Sequence, residues 1–233
     1  MIASKIAERL GIFHIPYAML WDNGIPYSVC EDFITPNTEL IPAWRVMQTQ
    51  KKDNQTSVYQ HYQNCCDSLG VPHVTDALNQ MIVLDYLIAN EDRHLNNFGL
   101  LRNPDTLEWL GPAPIYDSGS SLGYDKLTSQ IRFGRNITCK PFKRTHSDQL
   151  RLVTSFDWLD LSKLDGMDQD IRQVFDGAEE YVDRERVEAI ITSVHQRIQM
   201  LATIALTQHP QVDSTQNDVE ENVAAEYGEG ILL

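Results

Sequence analysis

The chain is poor in cysteine, in paired-cysteine spacings and in long apolar runs, and each shortage excludes something. Four cysteines in 233 residues, Cys30, Cys65, Cys66 and Cys139, are too sparse for a disulfide scaffold. No C-x-x-C pair occurs, so a zinc site of the usual spacing is excluded and buried or partly buried free thiols are expected. Lys5, Glu8 and Arg9 break any signal-peptide-like run. No segment approaches the roughly 18 apolar residues that a bilayer span requires. A reducing, cytoplasmic setting without a membrane partner is expected. Positive charge is short too: 19 Lys and Arg against 33 Asp and Glu leave a formal charge of −14. Such a surface repels a phosphate backbone and argues against nucleic acid as a direct partner.

What is present is a globular composition, 42% hydrophobic and 22% charged. Ile2, Ala3, Ile6, Ala7 and Leu10 recur at helical spacing, and Gly11 follows where a helix would stop. Residues 17–21 and 27–30 flank Asp22-Asn23-Gly24, which predicts a β-hairpin because Asn-Gly tolerates the positive φ of a tight turn. Residues 48–72 are polar and read as helix and loop. A nearly all-apolar stretch predicts a buried helix from an Asp76 N-cap to about Ala89. Phe98–Arg102 and Leu107–Leu110, around Asn103-Pro104-Asp105, predict a second hairpin that leads through Ile115-Tyr116 into Asp117. Val187, Ile190, Ile191, Val194, Ile198, Leu201 and Ile204 mark a long helix from Asp183 to Thr207. Beyond Gln208 there are six acids and no Lys or Arg, so an acidic, disordered tail is expected. His61, His73, His146 and His195 have no metal-ligand spacing and are expected as surface or satisfied histidines.

The segment that carries chemistry is Asn90-Glu91-Asp92-Arg93-His94-Leu95-Asn96-Asn97, with Asp117-Ser118-Gly119 beginning 20 residues after Asn97. Phosphoryl transfer needs one carboxylate to orient and deprotonate the attacking hydroxyl. It also needs an amide oxygen and a second carboxylate to hold the magnesium ions that bridge nucleotide phosphates. Asp92 and Asn97 supply the first two from one loop, and Asp117 the third from a strand end. Arg93 is expected to pair with a carboxylate or with loop carbonyls. Taken alone, such a polar run after an apolar helix is more often a solvated helix end. The spacing to Asn97 and Asp117 is what lifts it above that reading.

The pattern D-R-H-x-x-N followed by D-x-G resembles the machinery of the protein-kinase-like fold, as found in phosphatidylinositol kinases and in HipA-like bacterial serine/threonine kinases. The surroundings are more similar to the HipA-like family. Asn90-Glu91-Asp92-Arg93-His94 is close to its N-x-D-R-H, Cys30-Glu31-Asp32-Phe33 resembles its interlobe V-E-R-F segment, and Ala7–Ile12 resembles its L-A-x-x-L-G-L element. The resemblance covers residues 1 to about 207. It implies an α+β fold, a protein-kinase-like C-terminal lobe that is mostly helical with two β-hairpins. Residues 1–34 would be a remnant of the small lobe with its linker, 35–207 the C-terminal kinase lobe, and 208–233 the tail. It implies ATP and magnesium as cofactors and transfer to a Ser or Thr hydroxyl of a protein substrate. Asp92 would be the catalytic base, Asn97 and Asp117 the metal ligands, with Glu31 and Phe33 at adenine and His94 near the phosphates.

A complete kinase also covers its phosphates with a glycine-rich loop and clamps them with a lysine. Only Gly11, Gly24 and Gly70 precede Asp92, scattered, and Lys5, Lys51 and Lys52 are not placed as the clamp. A truncated frame, a partner chain that supplies the missing lobe, or an inactive descendant would each account for this. Non-catalytic service as a partner-binding module of a toxin–antitoxin-type complex, with an antitoxin-like partner, is therefore the alternative from another class. A lipid or small-molecule phosphotransferase would use the same three residues. Residues 126–151 hold seven basic residues and one acid, a strip suited either to an anionic partner or to acidic neighbours elsewhere in the chain.

Overall fold

The structure, a computed structural model, describes residues 1–133 and 137–208. Met1–Gln199 forms one compact unit, and Met200 onward falls in a second, of which the described part is the end of the last helix. The expectation for the tail after Gln208 lies outside the described residues.

Helix α1, Ile2–Leu10, buries Ile2, Ile6, Ala7 and Leu10 as the spacing predicts. Gly11 ends it in the left-handed region at φ 68°, where its N–H returns to Ala7 O and Glu8 O. Strands β1, Ala18–Asp22, and β2, Ile25–Val29, form the first hairpin. Its turn residues Asn23 and Gly24 both have positive φ, 51° and 80°.

The second hairpin, β4 (Gly99–Arg102) and β5 (Trp109–Pro112), gains a partner that the sequence reading misses. Strand β3, Glu39–Pro42, pairs antiparallel with β4 to give the order β3-β4-β5. Four residues ending in proline show no alternation to read. Gly99 lies opposite Pro42, and a side chain there would run into the Ile41 carbonyl, so close approach of β3 requires glycine.

Helix α2, Ala43–Val46, leads to α3, Val58–Ser68, which is capped by Ser57 Oγ accepting from Gln60 N at 3.1 Å. The buried helix α4 runs Val74–Leu87 and has α1, α3, β5 and α6 (His146–Leu150) around it. Its N-cap is His73, not Asp76: His73 takes φ 62°, and Asp76 lies in the first turn, where its charge favours the helix dipole. Helices α5 (Thr128–Phe133) and α7 (Met167–Val174) follow in chain order around α6, and α7 packs on α1 with Arg9 bound to Asp170 at 2.8 Å. Helix α8, Arg184–Gln208, starts one residue past the predicted point because Asp183 Oδ1 accepts from Arg186 N at 2.7 Å and acts as the cap. Val187, Ile190, Ile191 and Val194 on α8 are buried, and Arg197 reaches α4, donating to Tyr86 O at 2.7 Å.

All four cysteines are free thiols. Cys65, Cys66 and Cys139 are buried as expected, and burial pushes Cys66 and Cys139 up to about 12. Cys30 departs from the expectation: it follows β2 at the surface. His61 is a satisfied core histidine, 3.0 Å from Met47 O. His146 is buried against Tyr86, and its Nε2 has no partner among the described residues.

Burial, reinforced by the Arg197 guanidinium, pushes the His146 pKa down to about 3. An imidazole in the unfolded chain takes up a proton near about pH 6.5. Between these values the unfolded state binds more protons, so His146 contributes stability at neutral pH that drains away as pH falls from about 6.5 toward 3. His146→Phe should flatten this part of the profile. Urea midpoints measured at about pH 7 and pH 5 should fall less for the variant than for the unaltered chain; equal losses would remove His146 as the cause.

Candidate active site

The site begins at the end of α4. Ile88 N and Asn90 N return to Leu84 O and Asp85 O, and Ala89 turns the chain out of the helix with φ 51°. Asp85, alone among apolar neighbours on α4, receives Arg93 bidentately: Nε to Oδ2 at 3.0 Å and Nη2 to Oδ1 at 2.9 Å. Asn90 Nδ2 donates to the same Oδ1 at 2.9 Å. Both side chains of the ion pair are 0% exposed. Burial alone would lower the Arg93 pKa, but the Asp85 carboxylate outweighs it and holds the guanidinium above its usual value.

The remaining donors of Arg93 go to both functional loops. Nη1 donates to Asn97 O at 3.0 Å, to Tyr116 O, and more weakly to Asp117 O at 3.4 Å, while Nη2 donates to Ser118 Oγ at 3.0 Å. Arg93 therefore meets both halves of its expectation, a carboxylate and loop carbonyls. Tyr116 Oη adds a second tie, donating to Asn96 O at 2.6 Å.

Within the first loop, Asn90 Oδ1 accepts from Asp92 N at 3.2 Å, Asp92 O accepts from His94 N at 2.8 Å, and His94 O accepts from Asn97 N at 2.8 Å. Asn97 is buried, and its Nδ2 donates to Asp92 O at 3.4 Å, which leaves the amide oxygen as the end free to face a cation. The Asp92 carboxylate meets Lys140 Nζ at 2.6 Å. Hydrogen bonding from Lys140 holds its pKa below the usual carboxylate range, so it is ionised at neutral pH.

Asp117 is delivered from the other side. Ile115 N donates to Phe13 O and Ile15 N donates to Ile115 O, each at 2.9 Å. The segment after α1 thus pairs with the chain three residues beyond β5, and Asp117 follows this isolated bridge rather than a strand end. Tyr17 then reaches Asp117, whose N–H donates to the phenol oxygen at 3.3 Å. Asp117 has φ 50°, a conformation aspartate tolerates better than most residues and one that clusters at functional sites.

A cavity of about 370 Å³ opens beside Asp117, bounded by Ile15, Tyr17, Met19, Ser28 and Ser118 among others. A second, wide-open hollow of about 390 Å³ lies against His94, Leu95, Asn96, Lys140 and Pro141. Asp92, Asn97, His94 and Asp117 thus sit on two loops fastened to one guanidinium. Phe33 is brought to the same region, its ring 5.3 Å from that of Tyr116. Glu31 is exposed on the segment between β2 and β3 and lines neither cavity. An amide oxygen and a carboxylate on neighbouring loops fit a magnesium ion that takes its other ligands from phosphates and water. Among the described residues no group of three or more His, Cys, Asp or Glu forms a metal site by itself.

Sequence reasoning did not find Asp85, Tyr17 or Tyr116. Lys140 was visible only as one member of the basic strip. Among the described residues of that strip, Lys126 lies by Glu91 and Asp125, Lys140 by Asp92, and Arg151 by Asp148.

A helical lobe in which an Asp-Arg-His-x-x-Asn loop and an Asp-x-Gly loop share one buried arginine is that of a protein-kinase-like fold. The fold is similar to the crystal structure of a Helicobacter pylori proinflammatory kinase, CtkA, with a TM-score of 0.62 and 20% identity over 89% of this chain and 86% of that one. The family model for the HipA-like C-terminal domain matches residues 2–202, and the chain belongs to that family. No curated protein matches it. Among the described residues, no helix is long and apolar enough to cross a membrane.

Removing one partner of a buried ion pair strands the other charge and typically costs about 3–5 kcal/mol. Asp85→Ala should lose stability of that order in urea unfolding followed by circular dichroism. A loss below about 1 kcal/mol would show that Arg93 does not depend on this partner.

Proposed function

We propose that the chain is a magnesium-dependent kinase lobe that transfers the γ-phosphoryl group of ATP to a Ser or Thr hydroxyl of a protein. The observation that carries this reading is the attachment of Asp92, Asn97 and Asp117 to two loops held by Arg93. Asp92 orients the hydroxyl and takes its proton. The hydroxyl oxygen forms a bond to the γ-phosphorus, the bond to the β,γ-bridging oxygen breaks, and its electron pair leaves with ADP. Bound magnesium would neutralise the charge on the phosphates. Asn97 and Asp117 are the residues that would hold it. Membership in the family and the likeness to a kinase fold support the class of reaction. The protein acceptor rests on the family resemblance, and a cytoplasmic setting on the sparse cysteines and the charged residues of the first turns.

One feature favours a second reading, a module that binds a partner chain. The register places Leu20 opposite Tyr27 and Ala18 opposite Val29, and the face carrying Leu20, Ile25, Tyr27 and Val29 is exposed. A partner that packs on this face, including one that supplies a small lobe or acts as an antitoxin, would cover it.

Calorimetry separates the two. The kinase reading requires ATP binding that depends on magnesium, and Asp117→Asn should abolish that dependence together with phosphoryl transfer. Transfer retained in the Asp117→Asn variant would overturn the assignment, and no nucleotide heat in the presence of a bound partner would favour the module.

A further inference from the structure

We infer that Lys140 is a phosphate-meeting cation of this site, held on Asp92 in the free chain and passed to the transferred phosphoryl group when nucleotide binds. The inference rests on the kinase reading.

The geometry of the Lys140 segment is hard to explain by stability. The ion pair with Asp92 is short, 2.6 Å, but its side chains are 58% and 42% exposed. Exposed pairs of this kind add little to stability. Yet the backbone that presents Lys140 is built firmly. Gln149, only 1% exposed, donates from Nε2 to Lys140 O at 2.9 Å and accepts at Oε1 from Phe142 N and Lys143 N at 3.1 and 3.3 Å. Cys139 N donates to Arg144 O at 3.0 Å, and Thr138 bridges Thr145 across the same turn. The Phe142 ring is anchored edge-on against Tyr59 and Phe98. A rigid base with a flexible, solvated ammonium tip positions a charge without locking it.

Chemistry at Asp92 needs such a charge. As the phosphoryl group leaves ADP it carries negative charge next to the Asp92 carboxylate, which repels it. Arg93 cannot answer, because all its donors are spent on Asp85, Ser118 and loop carbonyls. Lys126 lies on Glu91 and Asp125. Lys140 borders the open hollow with His94, Leu95 and Asn96, where an incoming acceptor segment would approach. Its transfer from Asp92 to the phosphoryl group would do two things: neutralise the new charge, and release the carboxylate to accept the hydroxyl proton.

The test measures magnesium-ATP and magnesium-ADP binding to the full chain by calorimetry, for the unaltered protein and for Lys140→Ala, Lys140→Arg and Asp117→Asn. A charge-assisted hydrogen bond to the terminal phosphate predicts that Lys140→Ala weakens ATP about tenfold relative to ADP. Lys140→Arg should recover most of the loss, and melting temperatures of both should match the unaltered chain. Equal loss for ATP and ADP, no loss, or a lowered melting temperature without a change in the ATP-to-ADP ratio overturns the inference. In each of those cases loss of binding in Asp117→Asn leaves the kinase reading standing. Absence of magnesium-dependent nucleotide binding in the unaltered chain overturns the kinase reading itself, and this inference with it.

Discussion

The ion pair of Asp85 and Arg93 is the contact on which the remainder of the site depends. Removing both charges from water costs several kcal/mol each, and their mutual attraction repays this only when the leftover donors and acceptors are also satisfied. Here the leftover acceptor capacity of Asp85 goes to Asn90, and the leftover donors of Arg93 go to Asn97 O, Tyr116 O and Ser118 Oγ. Those partners lie on the two loops that carry Asp92, Asn97 and Asp117. A chain that folds with this guanidinium buried has to place both loops correctly, because no looser arrangement satisfies it. Folding of the core and assembly of the site are therefore one event.

The same bonds offset local backbone strain. Ala89 and Asp117 both take positive φ, 51° and 50°. Left-handed backbone costs non-glycine residues roughly 1–2 kcal/mol each. At Ala89 the cost turns the chain sharply off α4, so that Arg93 can reach back to Asp85 within eight residues. At Asp117 it turns the backbone so that the carbonyl lies toward Arg93 and the N–H toward Tyr17. Glycine would relieve the strain at either place, but at Asp117 it would remove the carboxylate that the proposed magnesium site requires.

Legibility from the sequence followed chain distance. The first hairpin was readable because Asn23-Gly24 is a local signal, and α4 because its apolar run is continuous. Asp92, Asn97 and Asp117 could be picked out as candidates because they lie at short spacings in the chain, and the fold brings their two loops to one guanidinium. Asp85 was not: inside an apolar helix it looks like a polar interruption, and only its approach to Arg93 in space explains it. Strand β3 was missed because Glu39-Leu40-Ile41-Pro42 is short, ends in proline and takes its pairing from β4 far downstream. Tyr17 meets Asp117 across 100 residues and Lys140 meets Asp92 across 48, separations at which no periodicity survives.

Two cation–carboxylate pairs thus stand within one loop of each other and are suited to opposite tasks. Arg93 and Asp85 are sealed from solvent, so any exchange of partner would strand a buried charge. Lys140 and Asp92 are open to water, so either member can take a new partner at small cost. On the kinase reading, an acidic chain of net charge −14 must still admit a polyphosphate, and general attraction cannot do this. A local cation that exchanges a carboxylate for a phosphate can, since the ion pair lost is matched by the one gained. The buried pair therefore holds the geometry, and the exposed pair is where that geometry can respond to a ligand.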